Sequence, residues 1–183
     1  MRNVLVSALL ASGVILSAQT EVKPIPAQEI IVKAVKEADE SNKKTLIAFH
    51  ASWCSWCKRL EAALDRPDVK SVIDRYFVVQ WLTINERSEK KALENPGSDK
   101  LLAEWTKGVN SGIPFYVLLD SDGKLIASSI RAVKPGEKPG NIGFPGNEEE
   151  RIAFVAFLKT AALNISDSEE ALIIKGLEAV MTK

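Results

Sequence analysis

Soft metal ligands are scarce in this chain, which has one histidine and two cysteines among its 183 residues. A tetrahedral zinc site takes four protein ligands, or three and a water. Cys54, Cys57 and His50 are the whole supply of Cys and His here, so a metal site would need all three to converge. Excess charge is missing too. The 24 lysines and arginines balance 24 acidic residues, and no long block of one sign occurs; this argues against a nucleic-acid footprint. Flavin and nicotinamide fingerprints are absent, so neither a cofactor nor a metal is expected. A second apolar run long enough to cross a membrane is also lacking.

The one long apolar run is N-terminal. Met1-Arg2-Asn3 is positively charged, Val4 to Leu16 is nearly all apolar, and Ser17-Ala18 supplies small residues before a polar, proline-rich stretch. That order predicts a secretory signal peptide over 1–18, cleaved after Ala18, with a linker over 19–26. The run is shorter than the roughly 20 residues of a membrane span, and no cysteine follows it as a lipid attachment site. The expected product is therefore soluble and periplasmic or secreted. Small exported domains often carry several disulfides as staples, and this chain has a single pair, three positions apart. Closing so short a loop restricts the unfolded chain by only about 2 kcal/mol in the loop-entropy model. Cys54 and Cys57 are placed for chemistry rather than for bracing.

Hydrophobic periodicity orders the rest. Helices are expected over Ala27–Asn42, Lys58–Leu64, Asp68–Arg75, Asp99–Lys107, Asn147–Leu163 and from Ser166 to about Met181. Strands are expected over Thr45–His50, Phe77–Ile84, Phe115–Leu119 and Lys124–Ile130, the last two joined by the Asp122-Gly123 hairpin signal. Lys134 to Gly146 is a loop rich in proline and glycine. Strands separated by helices imply parallel pairing, and the hairpin adds an antiparallel strand. The expected fold is α/β, a mixed four-stranded sheet flanked by helices, over 27–164. Residues 165–183 form a C-terminal helical extension that either docks on the domain or meets something else.

Phe49-His50-Ala51-Ser52-Trp53-Cys54-Ser55-Trp56-Cys57-Lys58 resembles the thioredoxin family, in which a strand runs into Trp-Cys-x-x-Cys-Lys at a helix N-terminus. Ser111-Gly112-Ile113-Pro114-Phe115 is similar to that family's cis-proline loop before a strand. The order of elements from Ala27 to Leu163 is a third match, together with extra N- and C-terminal helices. A lone Cys-x-x-Cys is weak; in this context it is strong. The resemblance implies a thiol–disulfide oxidoreductase but names no substrate.

Helix physics supports the same roles. A helix N-terminus favours a nearby thiolate, so Cys54 is expected to be the more acidic and more exposed thiol, and the nucleophile. Cys57, one turn on, is expected beneath it as the resolving thiol. By resemblance, Pro114 faces the cysteines and lets the Ile113 backbone bind an extended substrate, while Trp53 shields the site. Trp56 is a candidate substrate contact or a packed aromatic. The family's buried aspartate, six positions before the nucleophile, is Ala48 here. Glu61, one turn beyond Cys57, is the candidate replacement as proton acceptor, with a solvated helix Glu as its alternative. His50 is a candidate for tuning the thiols. Ser55-Trp56 brings no charge and no histidine to the pair, which favours reduction or exchange over strong oxidation. The expected partners are protein thiols and disulfides, with a membrane thiol-transfer partner as electron source. A binding module with a bracing disulfide and a dedicated oxidant are the competing readings.

Overall fold

The computed structural model describes residues 23–131 and 138–181. The segment expected to be a signal peptide and part of the proline- and glycine-rich loop lie outside them. The order is α1 (Ala27–Glu40), β1 (Lys44–His50), α2 (Ser55–Leu64), α3 (Pro67–Tyr76), β2 (Phe77–Thr83), a 3-10 helix (Ser88–Leu93), α4 (Ser98–Thr106), β3 (Phe115–Leu119), β4 (Leu125–Ser128), α5 (Glu148–Lys159) and α6 (Asp167–Ala179). Every expected helix and strand is present, mostly within a few residues of its expected bounds. The 3-10 helix was not anticipated, because Ser88-Glu89-Lys90-Lys91 carries no apolar period.

The sheet has the order β2-β1-β3-β4. β1 pairs with β2 in parallel, and β3 runs antiparallel to both β1 and β4. The expectation that strands separated by helices pair in parallel therefore fails for β3. The segment between Thr83 and Phe115, which holds the 3-10 helix and α4, does not carry the chain back along the sheet. The chain starts β3 where β1 ends, with Phe115 opposite Phe49. Ile113 and Pro114, joined by a cis peptide bond, are thereby brought beside the segment that follows β1.

Alternation along β1 divides the core between the two faces of the sheet. Leu46 and Ala48 join Leu60, Val69, Tyr116, Phe154 and Leu158 on the face covered by α2, α3, α5 and α6. Ile47 and Phe49 join Ile31, Leu82, Trp105, Phe115 and Val117 on the face covered by α1 and α4. At Asp120-Ser121-Asp122-Gly123, Asp120 Oδ1 accepts from the Asp122 and Lys124 amides and Gly123 takes a φ of +76°. That turn reverses the chain into β4.

Helix α6 packs on the domain. Ile173 and Leu177 are fully buried in the α2/α3/α5 side of the core. At its start Ser166 and Glu169 form a capping box, and the Glu169 carboxylate also takes the Tyr76 hydroxyl at 3.0 Å and pairs with Arg75. Hydrogen bonds from the Ser166 amide and hydroxyl lower the Glu169 pKa first; burial opposes them, and Tyr76 and Arg75 add to them. A carboxyl depressed on folding contributes fully above its unfolded pKa, about 4.3 for Glu. That contribution is lost as pH falls through the lower folded value. Glu169→Gln is accordingly expected to cost about 1–2 kcal/mol at pH 7. Urea unfolding from pH 7 to 3 checks this: the gap between wild type and variant should close on acidification.

Candidate functional site

Cys54 and Cys57 form a disulfide at the start of α2. The helix begins at Ser55, three residues earlier than apolar spacing alone suggests, because Cys54 is its N-cap. The Cys54 sulfur accepts the Cys57 amide N–H at 3.1 Å. Negative charge on this sulfur would meet that N–H and the positive end of the helix, the arrangement that lowers a thiol pKa. Both cysteines are buried in this oxidised form, Cys54 at 3% exposed and Cys57 at 0%, so the two differ little in exposure. Ala51 and Ile113 pack over both sulfurs.

Ile113 reaches the site from the opposite strand. Its carbonyl oxygen lies 3.7 Å from Cys54 Sγ. A cleft of about 520 Å³ opens alongside, and Trp56, Ile113, Pro114, Asn141 and Phe144 are among its walls. Trp56, 46% exposed, stacks on Phe144 with 5.5 Å between ring centroids, and the Arg59 guanidinium sits 4.7 Å from its ring centre. It is both a wall of the cleft and a packed aromatic. Trp53 is as exposed but is not among the lining residues; its Nε1 donates to the Asn85 carbonyl at 2.7 Å.

Glu61 meets His50. Its carboxylate pairs with Nδ1 of the imidazole, and Nε2 lies 3.1 Å from the Thr83 hydroxyl. Both side chains are about three-quarters buried, so Glu61 is not a solvated helix residue. The two candidates singled out separately in the sequence form one unit bridging β1, α2 and β2. Ala48 lies in the apolar core against this side of the sheet, where an unpaired carboxylate would be costly.

Two further residues were not foreseen. Glu86 is buried and accepts from the Ser52 amide at 2.5 Å and the Ser52 hydroxyl at 2.8 Å. Burial pushes its carboxyl up. The two Ser52 hydrogen bonds, with Lys90 and His50 nearby, outweigh that and hold it below the usual carboxylate range. It fastens the turn after β2 to the turn before Cys54. In the sequence Glu86 stands within Asn85-Glu86-Arg87-Ser88-Glu89, where nothing separates it from a solvated charge. Asn141, the other, donates to the carbonyls of Gly112 and Pro114 at 2.9 and 2.8 Å. Its only sequence signal was its place in the loop rich in proline and glycine.

Among the described residues no cluster of three or more His, Cys, Asp and Glu could hold a metal ion, and no helix is long and apolar enough to cross a membrane. The chain is similar to a thiol:disulfide interchange protein TxlA homolog from Synechocystis sp. The two are 28% identical over 144 residues, which are 76% of this chain and 69% of that protein. Among solved structures it is similar to a disulphide isomerase from Xylella fastidiosa Temecula1, with 18% identity and a TM-score of 0.47; the match covers 94% of this chain and 100% of that one. The oxidised DsbD C-terminal domain from Neisseria meningitidis is 24% identical with a TM-score of 0.39, over 61% of this chain and 89% of that one. Residues 31–138 match the model of the thioredoxin-like domain family; with its Cys54–Cys57 disulfide capping α2, the chain belongs to that family and has the redox pair of a thiol–disulfide oxidoreductase.

Proposed function

We propose that this protein is an exported thiol–disulfide oxidoreductase that reduces or exchanges disulfides in other proteins, with Cys54 as nucleophile and Cys57 as resolving thiol. The observation that carries the reading is Cys54 Sγ as N-cap of α2, beside a cleft and the Ile113 carbonyl. Cys54 thiolate attacks a substrate disulfide, forming a mixed disulfide and expelling one substrate thiolate. Cys57 then attacks Cys54 Sγ, expels the second substrate thiol, and leaves the Cys54–Cys57 disulfide. The substrate gains two electrons. They are restored by a dithiol donor, for which a membrane thiol-transfer protein is suited if the N-terminal apolar run directs export. The interchange activity named for the Synechocystis relative agrees with this reading.

The uncharged Ser55-Trp56 between the cysteines supports reduction or exchange over strong oxidation, since no histidine there stabilises the thiolate. Insulin reduction with dithiothreitol as donor, together with the reduction potential of the pair, tests the reading. Turnover at a potential near those of reductases and isomerases, about −270 to −180 mV, is expected. Absence of turnover, or a strongly oxidising value near −120 mV, would overturn it.

Glu61, paired with His50, takes the part of proton acceptor for Cys57 in this scheme. Glu61→Gln is expected to slow release of the mixed disulfide about a hundredfold while leaving the first attack by Cys54 unchanged. Stopped-flow tryptophan fluorescence, following formation and decay of the mixed disulfide separately, checks this. Equal slowing of both steps would assign Glu61 a structural part instead.

A further inference from the structure

The hydrogen bonds around Ile113 are divided unevenly. The carbonyls on either side of it, Gly112 and Pro114, are both taken by the Asn141 side-chain amide. Between them, among the described residues, the Ile113 N–H has no partner. Its C=O has only Cys54 Sγ nearby, at 3.7 Å. Both groups border the cleft beside the redox pair.

Asn141 is itself held in a single orientation. Its Oδ1 accepts from the Ser129 hydroxyl at 2.6 Å, and Ser129 Oγ accepts the Tyr116 amide of β3 at 3.0 Å. The neighbouring Ile142 amide donates to the Ser129 carbonyl, and the Arg131 amide to the Gly140 carbonyl. Ser129 is fully buried. A relay of donors thus runs from the backbone of β3 through Ser129 to Asn141. It ends on the two carbonyls that an incoming chain would otherwise compete for. What stays open is one N–H and one C=O on one residue, the pair by which one extended strand recognises another.

We propose that Asn141 is a positioning residue: by holding the carbonyls on either side of Ile113 it fixes the Ile113 backbone, so that loss of its amide weakens use of an extended polypeptide disulfide and not of a small-molecule disulfide. This rests on the oxidoreductase reading above and deepens it. A small disulfide needs only to reach Cys54 Sγ. A polypeptide also gains two backbone hydrogen bonds and the cleft walled by Trp56 and Phe144. Removing the Asn141 amide frees the Pro114 carbonyl, leaves the Gly112 carbonyl with only the Ser111 hydroxyl at 3.0 Å, and loosens the Ile113 backbone between them, without touching either sulfur.

The test compares insulin with bis(2-hydroxyethyl) disulfide as substrates of wild type, Asn141→Ala and Asn141→Asp. The Asp variant keeps the acceptor for Ser129 but sets a carboxylate oxygen against two carbonyls. The expected result is a KM for insulin raised about tenfold, the loss of roughly one positioned hydrogen bond, with kcat unchanged. Turnover of the small disulfide and the reduction potential should stay at wild-type values. Equal losses on both substrates, an altered potential, or an unchanged KM for insulin would each overturn the proposal.

A second measurement needs only the wild-type protein. Disulfide-linked peptides N-methylated in turn at each residue flanking the cysteine are compared with the parent peptide. At one position methylation should raise KM about tenfold, because it removes the N–H that meets the Ile113 carbonyl. Uniform KM values across the series would overturn the proposal even if neither variant folds. Failure of the wild type on both insulin and the small disulfide would instead refute the oxidoreductase reading itself.

Discussion

Cys54→Ser is expected to abolish insulin reduction, a loss of about a thousandfold or more, whereas Cys57→Ser is expected to stop the reaction halfway. The two cysteines are not equivalent. Cys54 Sγ is the N-cap acceptor of α2, and its charge is favoured by the Cys57 amide N–H it already receives. Cys57 is fully buried one turn into the helix and has no path to a substrate except through Cys54. The serine at 54 therefore removes the first attack. The serine at 57 leaves that attack intact but removes the thiol that would expel the product. Incubation of Cys57→Ser with a disulfide-bonded protein should yield a covalent adduct on non-reducing gels, dispersed by dithiothreitol. Cys54→Ser should yield none. Adducts in the reverse pattern would exchange the two roles, and wild-type turnover in both variants would leave only a bracing disulfide.

Gly176→Val carries the largest expected loss of stability. A Cβ at this position would lie 2.2 Å from Val69 Cγ2, far inside van der Waals contact. Val69 is itself fully buried on α3. In an exposed helix, replacing glycine by alanine would gain about 1 kcal/mol. Here overpacking, at about 1–3 kcal/mol, offsets or exceeds that gain even for alanine. The branched methyls of valine add to the clash without an equal gain in helix propensity. We expect Gly176→Val to lower stability by about 3 kcal/mol, or roughly 6–12 °C in Tm for a chain of this size. Thermal unfolding by circular dichroism measures it. Val69→Ala, which removes Cγ2, should partly rescue the valine variant, with a coupling of about 1 kcal/mol or more in a double-mutant cycle. Strict additivity would place the clash elsewhere.

How much of this was legible beforehand depended on the range of the interaction. The bounds of β3 and the starts of α5 and α6 were readable because their signals are local: an unbroken apolar run, and residues able to cap at Asn147 and Ser166. Cys54 as N-cap was half readable. The motif located it at the helix start, yet the apolar period placed that start at Lys58, because Ser55 and Trp56 are turned outward. The direction of β3 was misread because the rule for parallel crossovers was applied to a connection that does not cross back along the sheet.

The chemistry of the pair, its place at a helix N-terminus and the alternation that divides the core between two sheet faces were determined by the sequence itself, since residue type and spacing act within a turn or a strand. Tertiary structure decided who stands around the pair. Glu61 reaches His50 across 11 residues, Glu86 reaches Ser52 across 34, and Ile113 reaches Cys54 across 59. Asn141 comes from a loop to hold the residues on either side of Ile113. Glu86 and Asn141 are polar, isolated and without period, so nothing local distinguishes them from solvated neighbours, and even for Glu61 and Ile113 the sequence named the residue but not the partner it meets. They became a site only when β3 reversed direction beside β1 and left buried donors and acceptors that had to be matched.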